Sequence, residues 1–148
     1  MATHSTVPAV MEAMYLAFKA SPALSGVQVE EAFPGPDRIK DSCVFLGDAR
    51  SSDVHIPVNR PVRVARQEDY LVDVHCQVQV PGSNAKPARD AVFALYAAIE
   101  DVLATNPTLS VDGNVRCLTT NYDLQTGMTD VGWAAFLKIE VSVNARLY

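Results

Sequence analysis

The sequence predicts an α+β fold, a two-layer sandwich in which a mostly antiparallel sheet is covered on one face by two helices, in the order α-β-β-β-α-β-β. Three observations predict it. From Tyr70 to Val80, Tyr70, Val72, Val74, Cys76, Val78 and Val80 alternate with Leu71, Asp73, His75, Gln77 and Gln79, and a period of two puts the two sets on opposite faces of a strand. Ala135 to Leu147 repeats the pattern, with Leu137, Ile139, Val141, Val143, Ala145 and Leu147 alternating against Phe136, Lys138, Glu140, Ser142, Asn144 and Arg146. Two further stretches place apolar residues at helical spacing. Strands with one apolar face need cover on that face only, and two amphipathic helices supply it.

The first helix begins at Thr6 as cap and runs to about Ala20, with Val7, Val10, Met11, Met14 and Phe18 on one face. Ser21-Pro22 ends it, Val27 to Phe33 reads as a short strand, and Pro34-Gly35-Pro36 turns the chain. Cys43 to Gly47 is a second short strand. Asp48 to Pro61, with Arg50, Asp53, His55, Asn59 and Arg60 among prolines, reads as a long exposed loop of about 14 residues, beyond the usual connection in a compact domain and either functional or passive surface. Val62 and Val64 lead into the Tyr70–Val80 strand. Pro81 to Asn84 breaks that strand, with Asn84 as helix cap and Pro87 in the first turn, where its missing N–H costs nothing. This second helix runs to about Thr105, and Asn106-Pro107 stops it. Val115 to Leu124 is a strand of mixed alternation, and Gln125 to Asp130 makes the next turn.

The 148 residues make one domain, long enough to bury about two-thirds of the surface exposed by the unfolded chain. An apolar fraction of 49% and a charged fraction of 20% are those of a globular protein. The net charge of −5, without any Lys/Arg cluster, argues against a nucleic-acid-binding module, which carries a basic stripe. Cys43, Cys76 and Cys117 lie far apart in strand-like runs, without the spacing of a zinc site or a CxxC motif, so buried free thiols are expected, Cys76 facing the core. The opening residues lack the basic flank and apolar run of a signal peptide, and no segment approaches the ~20 apolar residues that span a bilayer; synthesis in a reducing cytoplasm is the expectation.

No G-x-S-x-G elbow, Gly-rich phosphate loop or H-E-x-x-H occurs, and no cofactor is expected. Asp73 and His75, two residues apart on the polar face of the long strand, come nearest to a site, but acid/base or metal chemistry needs a third convergent group and a pocket. A solvated or interface-facing pair is the plainer reading. On the second helix, Ala88, Val92, Leu95, Ile99, Val102 and Leu103 form a stripe, while Phe93 lies about 140° away among Lys86, Arg89, Ala97 and Glu100. A phenylalanine there suggests a contact surface; the plainer alternatives are a lone exposed aromatic or a ring covered by a loop.

The chain from Tyr70 to Leu147 resembles the tail terminator (tail completion) proteins of long-tailed bacteriophages. The likeness rests on Y-L-V-D-V-H-C-Q-V-Q-V-P-G, the alanine-rich helix A-R-D-A-V-F-A-L-Y-A-A-I-E-D-V-L with its N-P-T-L exit, and the closing hairpin through M-T-D-V-G-W to F-L-K-I-E-V-S-V-N-A-R-L. The resemblance implies a non-enzymatic virion protein, assembled in the host cytoplasm, that forms a hexameric ring at the head-proximal end of the tail. Its implied partners are further copies of itself, the tail tube protein and the head-tail connector proteins, with DNA passing through unbound and no membrane involved. Phe93, Arg89, Glu100, Arg50, Asp53, His55, Arg60, Asp73 and His75 are the candidate contact residues. Another head-tail joining or minor tail protein, a host-side binding module, and a small enzyme built on Asp73 and His75 are the alternatives; an enzyme needs a pocket of convergent polar groups, a ring protein flat patches.

Overall fold

A computed structural model describes residues 5–55, 66–111 and 114–147. Two helices, α1 (Val7–Ala20) and α2 (Lys86–Thr105), pack on one face of a five-stranded sheet formed by β1 (Gln28–Glu30), β2 (Ser42–His55), β3 (Arg66–Pro81), β4 (Val115–Thr129) and β5 (Gly132–Leu147). The strands lie in the order β1-β2-β3-β5-β4; β1 runs parallel to β2 and every other pair is antiparallel. The expected class, layering and element order are those observed.

Alternation accounts for the core. Tyr70, Val72, Val74, Cys76 and Val78 of β3 pair with Val143, Val141, Ile139, Leu137 and Ala135 of β5, and all ten are buried. Above them α2 buries Ala88, Val92, Leu95, Ala98, Ile99 and Leu103, while α1 buries Val10, Met14 and Phe18. At about 25 cal/mol per Å² of apolar surface removed from water, this face is the main source of stability. Thr6 is the N-cap of α1, but its hydroxyl does not bond the helix. It contacts Glu68 at 3.0 Å and the buried Tyr70 hydroxyl at 2.9 Å, so the start of α1 is pinned to β3. The cap of α2 is Ala85 rather than Asn84, and Pro87 sits in the first turn as expected.

Two expectations about connections are corrected. Residues 48–55, read as loop, continue β2, which pairs with β3 as far as His55↔Gln67. The polar run is tolerated because it faces β3 across two bulges, at Gly47-Asp48 and Ser52, on a sheet edge whose second face no helix covers. Residues 56–61, with Arg60, and Val62 and Val64 lie outside the described residues. The segment 125–129, read as a turn, is strand: β4 and β5 are joined by a two-residue turn at Asp130-Val131. One extra residue, Thr120, shifts the register between Thr119 and Asn121, so the apolar set passes from Val115 and Cys117 to Tyr122 and Leu124, and the mixed alternation follows. Cys43, Cys76 and Cys117 are free and buried, Cys76 in the core cluster, and burial pushes the Cys43 and Cys117 thiols up to about 11.

Candidate functional site

The sheet face away from the helices carries the polar residues of β2, β3, β4 and β5. Across its centre run Arg50 on β2, Asp73 on β3, and Lys138 and Glu140 on β5, with Asp73 registered directly opposite Glu140 and His75 opposite Lys138. Two like charges face to face destabilise a sheet unless a cation intervenes. Arg50 does so: it donates to Asp73 Oδ2 at 2.7 Å and to Glu140 Oε2 at 3.3 Å, while Lys138 Nζ lies 3.8 Å from Asp73 Oδ2. The Arg50 side chain is 45% exposed and the Asp73 side chain only 4%. Asp73 is therefore buried under an ion pair rather than solvated; the extension of β2 carries Arg50 over it, and its Oδ1 has no hydrogen-bond partner among the described residues.

His75 has a different environment. Its imidazole stacks on Phe45 at 5.0 Å and 19°, and Phe45 in turn meets Phe33 at 5.5 Å. Gly47 gives it room, since a Cβ there would stand 2.5 Å from His75 Nε2. Burial lowers the His75 pKa below 6.5, and Lys138 adds to this against the opposing pull of Asp73 and Asp48. A groove of about 220 Å³ lies beside it, lined by Phe45, His75, Gln77, Asp123, Phe136 and Lys138. Small-molecule sites hold roughly 300–1,000 Å³ and converge several polar groups. Asp73 does not line the groove, so Asp73 and His75 are adjacent without forming an acid/base pair around a common space. No group of three or more His, Cys, Asp or Glu side chains converges as a metal site among the described residues.

The second candidate patch is on the helix side. Phe93 is half-buried and not an isolated ring: it meets Tyr122 of β4 at 5.5 Å and Tyr96 at 6.1 Å, and Tyr96 and Tyr122 meet at 5.6 Å, all edge to face. Tyr122 is 56% exposed. Arg89 and Glu100 are exposed on α2, and burial together with a hydrogen bond to Glu100 raises the Tyr96 pKa. The sequence pattern missed Tyr122 because the bulge at Thr120 hides the side of β4 on which it falls, and without Tyr122 nothing joined Tyr96 to Phe93 as a cluster. Asp53 and His55 are on the far part of β2, but their side chains, like Arg60, lie outside the described residues.

No protein-family model matches the chain, and no curated protein matches it in sequence. Among solved structures it is similar to a chain of the virion of a native gene transfer agent (GTA) particle, at 18% identity and a TM-score of 0.62, over 97% of this chain and 98% of that one. The two share a fold along essentially their whole lengths. Among the described residues, no helix is long and apolar enough to cross a membrane.

Proposed function

We propose that this protein is a structural component of a phage-like virion and acts as its tail terminator, a ring of copies that closes the head-proximal end of the tail tube and receives the head-tail connector. The observation that carries the reading is the fold shared, nearly end to end, with a chain of a gene transfer agent virion. It agrees with the family resemblance of Tyr70 to Leu147. The surface supports it too: the charged groups at the centre of the uncovered sheet face pair with one another, and the two grooves on that face, of about 220 and 280 Å³, fall below the usual size of a small-molecule site. Such surfaces suit contacts between proteins better than chemistry on a small substrate. With a net charge of −5, a ring of copies repels DNA passing through it and does not grip it. Arg89, Phe93 and Glu100 on α2, Arg50, Asp53 and His55 on β2, Asp73 and His75 on β3, and Arg60 are the proposed contact residues toward the tail tube protein, the connector or the next copy.

The test is direct. The purified chain, viewed by electron microscopy and weighed by native mass spectrometry, is expected to form closed rings, hexamers on the family analogy. Antibody against it is expected to label the head-proximal end of tails in the particles that contain it. A chain that stays single at all concentrations and labels no particle would sink the proposal.

A further inference from the structure

The backbone of β4 has an unused side. A two-residue hairpin turn is closed by a hydrogen-bonded pair, here Thr129 and Gly132, and hydrogen-bonded pairs alternate with non-bonded ones along an antiparallel ladder. Tyr122, Leu124, Thr126 and Met128, opposite Ile139, Leu137, Ala135 and Trp133, therefore direct their N–H and C=O groups away from β5. Beyond the bulge the same rule gives Cys117 an outward N–H, and that group does donate outward, to the Pro107 carbonyl at 2.8 Å. From Tyr122 to Met128, no backbone hydrogen bond reaches the outward groups among the described residues. Natural edges are blunted by proline, lysine or bulges. Between Tyr122 and Met128 there is no proline, no lysine and no bulge, and Asp123 is the single charge. Four of the seven large exposed apolar side chains among the described residues, Leu118, Tyr122, Met128 and Val131, are on β4 or its turn. The edge that lacks a backbone partner is thus where uncovered apolar surface concentrates.

The opposite side of the sheet has a second free edge. β1 pairs with β2 only as far as Phe45. Gln79 N donates to Asp41 O, which fixes the outward sense on β3, so Leu46, Ala49 and Ser51, opposite Val74, Val72 and Tyr70, point their backbone groups away from the sheet. We infer that β4 of one copy adds to the β2 edge of the next, so that a continuous sheet passes from subunit to subunit; this rests on the ring reading above and names its contact. The occupant is a second copy because the two free edges are on opposite sides of one sheet. A two-fold β4–β4 pairing would leave both β2 edges bare, whereas a head-to-tail pairing covers both, and a constant rotation closes it.

Thr126→Pro tests the contact, because it removes an outward N–H that β5 does not use, and an edge strand accepts proline at such a position. The expected result is an unchanged melting temperature with at least tenfold weaker self-association by native mass spectrometry and light scattering. A folded variant that assembles like the parent overturns the inference. If the variant unfolds, hydrogen exchange on the unmodified chain decides: amides of Leu124, Thr126, Met128, Ala49 and Ser51 are expected to be protected in the assembly and to exchange freely on dilution to single chains. An assembly that leaves them unprotected, a dimer protecting β4 alone, or a chain that never associates overturns it. Rings with both edges protected that fail to bind tails would refute the terminator reading and leave the edge contact standing; rings that cap tails with both edges unprotected would do the reverse.

Discussion

Asp73 and Arg50, 23 residues apart in sequence, meet at 2.7 Å because β2 continues past its apolar start and carries the guanidinium over a carboxylate that β3 and β5 enclose. Breaking a buried ion pair from one side costs several kcal/mol, but water reaches the Arg50 end of this one, which lowers the figure. Arg50→Ala is expected to lower stability, since the buried Asp73 carboxylate then loses its closest donor. Arg50→Met with Asp73→Leu is expected to cost less than the sum of the two single changes. Urea unfolding of the four proteins measures the coupling, and additivity would mean that the pair is ornamental.

His75 gives the fold a pH dependence of defined sign. Its folded pKa is below 6.5 because burial against Phe45 disfavours the imidazolium. As pH falls below 6.5, the unfolded state binds the proton first, so stability decreases until the folded pKa is passed, and the His75 contribution is fully present only above 6.5. The difference in unfolding free energy between the native chain and His75→Gln is therefore expected to shrink on acidification through that range. A difference that grows instead would mean that the attraction of Asp73 outweighs burial.

Val141 and Glu140 are neighbours on β5 with opposite expectations. Val141 is fully buried between Val72 and Thr119, whereas Glu140 makes one partly screened bond to Arg50. Val141→Glu places an unpaired carboxylate in the core at a cost of several kcal/mol, comparable with the stability of a whole domain, and is expected to unfold it. Glu140→Gln is expected to cost less than about 1 kcal/mol. Thermal melts of the two variants distinguish this register from the one shifted by a residue, in which the outcomes would exchange.

Phe93 and Tyr122 separate folding from contact on the helix side. Edge-to-face aromatic pairs contribute about 0.5–1.5 kcal/mol beyond burial. A double-mutant cycle on Phe93→Ala and Tyr122→Ala is expected to give a coupling in that range from the 5.5 Å ring contact. No coupling would mean that the two rings are independent surface groups, available to a partner singly.

Periodicity made the fold legible wherever one face of an element is apolar throughout. β3, β5 and both helices could be read from sequence because Val72, Val141, Val92 and Met14 belong to unbroken patterns whose energetic origin is burial. The outer strands could not. Residues 48–55 look like loop because the second face of the sheet is open and tolerates Asp48, Arg50 and Ser51, and β4 changes phase at Thr120. The candidate site suffered accordingly: Asp73 and His75 were visible, but Arg50 could be placed over Asp73 only after β2 was known to be long, and the Tyr122 contact with Phe93 depends on a bulge that no residue pattern announces.

Gly132 and Gly127, five residues apart across the β4–β5 turn, test whether the hairpin is fixed by its packing on β3. A Cβ at Gly132 would stand 2.2 Å from the Val80 carbonyl oxygen and 2.7 Å from Pro81 Cα, both backbone atoms that cannot swing aside as a flexible side chain can. To admit it, the end of β3 must separate from β5 at Pro81↔Gly132, the last rung of the ladder. Gly132→Ala is therefore expected to destabilise by about 2–4 kcal/mol, in the range of overpacking and strain, and to loosen the turn that presents Val131 and Met128. At Gly127 a Cβ meets nothing within 4 Å, and restricting the unfolded chain makes Gly127→Ala neutral or stabilising by up to about 1 kcal/mol. Chemical denaturation gives both values, and hydrogen exchange locates the loss: for Gly132→Ala it is expected at the hairpin and the end of β3, with the amides of Val72 and Val141 protected as before. Equal stability of the two variants would show that the hairpin is not held against β3 at this rung.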